Sequence, residues 1–364
     1  MTRGKKLLFA TVAAFLALVL LEGLLSLLWL IPDYRRFRAE QPTAAEFKEE
    51  SHSRYDPELG WVHIPGKRIE DFYGPGAPIT INDEGFRGDE LYLTGKPPGR
   101  YRVVCLGDSF TLGYGVGDDD TYAAVLERLN PRVQAVNMGQ GGYSVGQDYL
   151  WYQRRGDALD ADLLLVAIIA DDIWRMAGNR TANGYGKPVF RLDGEEVVVE
   201  GQPVPEKIAT GAPIVEGSLL LRFLLQESSL ARTFGVILPD PPSGPEPQEA
   251  DELMAVTLAM LRDLEQDSRR QGRAFAIVLL PEMRELTEAS AVEAYGQVSD
   301  ILSRFTTARR IPFLDLRPAF AAQGPTARSF YLDEIWHHYS PAGHRFVAQE
   351  LNTWLGEVVL GYPG

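Results

Sequence analysis

The chain is predicted to be α/β, with an open parallel sheet flanked by helices, and three observations carry that reading. Short, continuous apolar runs recur after Tyr101. Segments with helical periodicity separate them, and the two kinds alternate in βαβα order. The runs are apolar throughout rather than alternating, as expected of parallel strands covered on both faces.

The elements follow in order. Arg102–Leu106 reads as a strand, and Thr121–Leu129 as a helix with Tyr122, Val125, Leu126 and Leu129 on one face. Val133–Val136 is a second strand, Gly146–Gly156 a helix and Leu163–Ile169 a third strand. Further on come a helix at Glu252–Arg270, a strand at Ala274–Leu280, a helix at Val292–Arg309, a strand at Ile311–Leu316 and a final helix at Pro341–Leu355. Between Trp174 and about Gln248 the rhythm is lost. Residues 175–250 are expected to form an insertion over the sheet edge, a substrate-facing lid with a hairpin at Val189–Val199 and a solvated loop, LPDPPSGPEPQEAD. Ahead of the first strand, LGWVHIPG and PITINDEGFRGDE alternate apolar and turn residues and suggest short strands. Residues 33–100 are therefore a stalk and β-rich lead-in, and 101–364 the main domain.

The N-terminus has a different composition. After Arg3, Lys5 and Lys6, the run Leu7–Ile31 is apolar apart from Glu22 and small polar residues. A hydrocarbon core needs about 20 such residues, whereas a signal-peptide core has roughly 7–15. Residues 1–32 are accordingly expected to be a single-pass transmembrane anchor, with the basic leader favouring export of the rest. Arg35, Arg36 and Arg38, beyond the span, oppose that bias. The hydrophobic content of 45% suits a globular core, and the net charge of -14 argues against nucleic acid as a partner. A single cysteine, Cys105, excludes an internal disulfide framework and a Cys-based zinc site. The sequence assigns no oligomeric state.

In open parallel sheets, ligands bind outside the carboxyl ends of the strands. Three loops at such ends are distinctive: Gly107-Asp108-Ser109, the glycine-rich NMGQGGYSVGQ at Asn137–Gln147, and IIADDI at Ile168–Ile173. Ser109 at the first turn of a helix would have its hydroxyl exposed beside backbone N–H groups able to hold an oxyanion. A serine nucleophile needs a histidine base and a carboxylate that orients it. The segment YLDEIWHHYSPAGHRF offers Asp333 or Glu334 as the acid and His337 or His338 as the base. His344 reads as a helix-surface residue. A metal site from Asp171, Asp172, His337 and His338 has no supporting spacing, and no cofactor is implied.

These blocks, in this order, resemble the SGNH or GDSL-type hydrolases. GDSFTLGYG is similar to the block carrying the nucleophile, at Ser109; GQGGYS to the block whose glycine N–H enters the oxyanion hole, at Gly142; and HHYSPAGHR to the block with the catalytic histidine, at His338. The resemblance runs from about Tyr55 to the C-terminus, apart from the insertion, and implies a flavodoxin-like three-layer α/β/α fold. It further implies hydrolysis of O-acyl esters on envelope glycans or lipids, and the N-terminal anchor and INDEGFRGDE are similar to those of membrane-anchored bacterial members. The catalytic set it implies is Ser109, Asp333 and His338, with Ser109, Gly142 and Asp171 at the oxyanion hole. Two departures stand out. Ala170-Asp171-Asp172 replaces the family's Gly-x-Asn-Asp, so Asp171 occupies the place of an asparagine donor and could donate only when protonated. The usual Asp-x-x-His spacing from His338 falls on Ile335, while Glu334-x-x-His337 offers a competing register. Two other functions stay open: polysaccharide O-acetyl transfer, and a catalytically weakened glycan-binding or scaffold protein.

Overall fold

The computed structural model describes residues 3–6, 9–14, 16–17, 51–181, 184–206, 247–332 and 338–359. Residues 44–208 and 244–364 form one compact unit; residues 1–43 and 209–243 form another, of which the described residues are helical and exposed. No helix among the described residues is long and apolar enough to cross a membrane. Most of the apolar run at 7–31 lies outside them.

The lead-in begins with the antiparallel pair β1 (Ser53–Asp56) and β2 (Gly60–His63), followed by β3 (Arg68–Ile69) and β4 (Ile79–Thr80). It packs within the same compact unit as the sheet. Arg87 is the latch. Its buried guanidinium donates to Asp118 Oδ1 at 2.7 Å and to the Val116 carbonyl at 2.9 Å, while its amide donates to the Asn137 carbonyl.

The main sheet comprises β5 (Tyr101–Leu106), β6 (Val133–Asn137) and β7 (Leu163–Ile168), then, after the insertion, β10 (Ala274–Leu279) and β11 (Phe313–Asp315). The insertion contributes the antiparallel hairpin β8 (Val189–Asp193) and β9 (Glu196–Glu200), as the sequence suggests. All neighbours in the five-stranded sheet are parallel, in the order β11-β10-β7-β5-β6. That is the flavodoxin-like 2-1-3-4-5 order, whose topological switch point lies between the first and third strands. Here these are β5 and β7.

The helices are α1 (Ser109–Leu112), α2 (Tyr122–Leu129), α3 (Val145–Arg155), α4 (Ala170–Trp174), α5 (Pro247–Arg270), α6 (Arg284–Thr287), α7 (Ala289–Arg309), α8 (Arg317–Ala321) and α9 (Pro341–Trp354). Strand side chains alternate between two cores. Val104, Leu106, Val166 and Ile277 pack with Tyr152, Met260 and Leu302 of α3, α5 and α7. Val103, Cys105, Leu165 and Val278 pack with Leu126, Phe320 and Leu351 of α2, α8 and α9. The result is a three-layer α/β/α arrangement.

Several expectations shift. Leu129, expected on the buried face of α2, is exposed, because the helix ends there and Asn130 leaves the helical path. His344 is not on a helix surface. It is fully buried, its Nδ1 accepts the Tyr122 amide at 3.2 Å, and burial lowers its pKa to about 3. The β8–β9 hairpin packs on α5, with Phe190 filling the space beside Gly146 of α3. Most of the loop LPDPPSGPEPQEAD lies outside the described residues.

Candidate active site

The nucleophile turn follows directly from β5. A Cβ on Gly107 would strike the Ala167 carbonyl of β7 and the Thr111 side chain, so the close approach of the chain to its neighbouring strand here requires glycine. Asp108 then caps α1, accepting the Phe110 amide at 2.8 Å, and Ser109 opens the helix at its first position. The serine is largely buried, with its Oγ 2.8 Å from His338 Nε2 and 3.2 Å from Asp108 Oδ2. The hydroxyl proton can be donated to either.

His338 stands immediately ahead of α9, beside residues that are tied to the sheet. Ser340 caps α9 through the Gly343 amide, Pro341 sits in its first turn, and Tyr331 bridges to Tyr339. The Tyr331 and Tyr339 hydroxyls both donate to the Pro281 carbonyl, at 2.8 and 2.9 Å, which ties these two residues to the end of β10. The imidazole lies between Phe110 and Tyr114, at centroid distances of 4.8 and 5.1 Å. These rings restrict its rotation and present Nε2 to the serine. Asp333, Glu334 and His337 lie outside the described residues.

The second loop is bound to the first. The Met138 amide donates to the Cys105 carbonyl at 2.9 Å and the Gln140 amide to the Gly107 carbonyl at 3.0 Å. A Cβ on Gly139 would collide with the backbone nitrogen of Leu112, so this glycine is what lets the loop close on α1. Gly142 follows in a left-handed conformation, with φ +70°. From the lead-in, Trp61 Nε1 donates to the Gly141 carbonyl at 2.9 Å, and the Tyr143 hydroxyl donates to the Trp61 carbonyl. Ser144 and Gln147 form a capping box that starts α3.

The third block is the short helix α4 rather than a loop. Asp172 is buried, and its Oδ2 accepts the Ile169 amide at 3.0 Å. Asp171, one-third exposed at 36%, pairs with Arg284 Nη2 at 3.1 Å and Arg175 Nε at 3.3 Å. Arg175, one turn on, is the residue that sequence reasoning missed. Its Nη1 donates to Asp108 Oδ2 at 2.7 Å, Asp172 Oδ1 at 2.8 Å and the Tyr143 carbonyl at 3.3 Å, so one nitrogen joins all three blocks. The signal was present in the sequence as Asp-Asp-x-x-Arg, which sets both acids at i,i+3 and i,i+4 from the arginine once the segment is helical.

The electrostatics follow from burial. Asp172 and Asp148 are pushed well above the usual carboxylate range, first by desolvation and then by the charge of Asp108. Desolvation opposes the Arg175 charge, but Asp172, Asp108 and Asp171 outweigh it and hold the guanidinium protonated. Burial, with Arg175 nearby, lowers Lys187 to about 8; its Nζ donates to the Arg175 carbonyl. Among the described residues, no group of three or more His, Cys, Asp or Glu side chains could hold a metal ion.

A serine beside an imidazole at the switch point, flanked by a glycine loop, is an arrangement suited to acyl chemistry, and comparison with known proteins agrees. Residues 105–346 match the model of the GDSL-like lipase/acylhydrolase family. No curated protein matches the chain. Similar solved structures include a member of the lipolytic protein G-D-S-L family from Veillonella parvula, at 13% identity and a TM-score of 0.39, covering 72% of this chain and 99% of that one. Another is a catalytic mutant of an acetylxylan esterase from Geobacillus stearothermophilus, at 14% identity and a TM-score of 0.43, covering 74% of this chain and 98% of that one. With its matched region running from β5 into α9, the chain belongs to the GDSL-like lipase/acylhydrolase family and is an ester-hydrolysing enzyme.

Proposed function

We propose that the chain is a serine esterase acting through an acyl-serine intermediate, with O-acyl groups on envelope glycans or lipids as its substrate class. The observation that carries the mechanism is the 2.8 Å approach of Ser109 Oγ to His338 Nε2. Ser109 Oγ attacks the acyl carbonyl carbon while its proton passes to His338. The carbonyl oxygen becomes an oxyanion held by the N–H groups of Ser109 and Gly142. As the C–O bond to the alcohol breaks, His338 returns the proton to the leaving oxygen. Water then attacks the acyl-serine, giving its proton to His338, and the acid departs as Ser109 regains a proton. Asp333 is assigned as the acid that orients His338. No cofactor enters these steps.

In this reading residues 1–32 are a single-pass anchor and the catalytic domain is extracytoplasmic. The basic residues ahead of the apolar run support it, as do the exposed Phe9, Val12 and Leu16 on the described helical turns. The test is hydrolysis of p-nitrophenyl acetate and butyrate by the full-length protein and by Ser109→Ala. The substitution is expected to lower turnover by roughly 10⁴-fold or more. Equal rates for the two proteins would remove Ser109 as the nucleophile. Added polysaccharide should leave acetate release unchanged; acetyl recovered on the sugar would identify a transferase instead.

A further inference from the structure

We infer that Arg175 is a catalytic residue of this enzyme: its guanidinium takes over the oxyanion-donor role that the family gives to asparagine at the position of Asp171. The inference rests on the acyl-serine reading above. An asparagine amide would donate to the developing oxyanion, whereas Asp171 has no amide, and its carboxylate is engaged by Arg284 and by Arg175 Nε. The deficit is compounded by Asp108, a second carboxylate only 3.2 Å from the nucleophilic oxygen. Negative charge developing beside Asp108 would be repelled unless a cation offsets it.

Arg175 is the cation in place to do so. Through Nη1 it bonds Asp108, the residue before Ser109, and Tyr143, the residue after Gly142. It is therefore bonded to the chain neighbours of both proposed oxyanion donors, Ser109 and Gly142. Asp172 Oδ1 holds the same nitrogen at 2.8 Å, which fixes the plane of the fork. Nη2 donates to no partner among the described residues, and 28% of the side chain remains exposed, so the fork has a donor left for a ligand. The rigid, planar guanidinium suits this double duty: one edge is fixed by carboxylates while the neighbouring N–H groups serve the substrate oxygen. In the reaction, Nη2–H donates to the carbonyl oxygen as it gains charge. No bond to Arg175 forms or breaks, and its proton stays in place.

The experiment compares full-length parent, Arg175→Gln, Asp171→Asn and the double variant, reading kcat and KM separately with p-nitrophenyl acetate, beside Ser109→Ala. Loss of one oxyanion donor lowers kcat by about 100- to 1000-fold. Arg175→Gln is expected to fall in that range with KM within about threefold of the parent. The double variant, which restores the family's asparagine, should regain at least tenfold in kcat over Arg175→Gln. A kcat for Arg175→Gln within threefold of the parent overturns the inference, as does a double variant no better than Arg175→Gln. Because Arg175 neutralises buried carboxylates, Arg175→Lys is read in its place where circular dichroism shows the glutamine variant unfolded. The lysine keeps the charge but not the fork, so a tenfold or greater fall in kcat supports the assignment and parental kcat overturns it. Parental activity in Ser109→Ala would instead sink the acyl-serine reading itself, a result separable from any outcome at Arg175.

Discussion

Replacing Glu285 by glutamine should make the protein more stable at neutral pH and leave it almost unchanged in acid. The Glu285 side chain is only 3% exposed, and its Oε2 accepts the Glu282 amide at 2.8 Å. Burial, reinforced by the charge of Glu282, raises its carboxyl from 4.5 to about 9. Between those values the folded chain keeps a proton that the unfolded chain has released. The stability this group contributes is thus fully present below about pH 4.5 and is lost as pH rises toward 9. At pH 7 the unfolded carboxyl is ionised by about 2.5 units, and at roughly 1.4 kcal/mol per unit the loss amounts to about 3 kcal/mol. Glutamine retains the carbonyl that accepts the Glu282 amide and has nothing to ionise. At roughly 2 °C per kcal/mol for a unit of this size, Glu285→Gln should raise the melting temperature by about 5 °C at pH 7. Thermal melts of both proteins at pH 4.5, 6.0 and 7.5 provide the assay. An offset between them that does not change with pH would refute the argument, since it would mean that Glu285 is ionised in the folded state.

Two further substitutions test how the site is held. Gly139→Ala places a methyl group against the Leu112 backbone, which cannot retreat without moving α1. It should cost about 2 kcal/mol or more in a urea titration and lower kcat, because α1 carries Ser109. Arg87→Met leaves Asp118 and several carbonyls without their buried cation, and a loss of about 3–5 kcal/mol is expected by the same titration. A loss below about 1 kcal/mol would show that the lead-in is not latched by this residue.

The sheet was legible because its strands are buried on both sides. A run such as Leu163–Ile168 must be apolar at every position, and such runs stand out in a polar background. Helix ends were less legible, since caps are decided by single residues: α3 starts at Val145 because Ser144 and Gln147 close a capping box, and α5 begins at Pro247 rather than Glu252. The four-residue α1 has too few positions for periodicity, yet the motif placed Ser109 at its start. The pairing of Ser109 with His338 spans more than two hundred residues and was read from ordered blocks, not from any local pattern. Arg175 escaped notice for a physical reason. Its meaning depends on Asp108 and Tyr143, which only the parallel pairing of β6, β5 and β7 brings near it. The burial of His344 depends in the same way on the packing of α9 against α2.

Trp61 changes where the enzyme begins. A cut at residue 101 falls just before β5 and is the natural place to trim the chain to its βαβ region. Such a fragment would lose the indole that holds the Gly141 carbonyl and the backbone carbonyl that receives the Tyr143 hydroxyl. Those contacts form one wall of the loop that carries Gly142. The lead-in therefore buttresses that loop, and a fragment without β1 and β2 is expected to lose esterase activity.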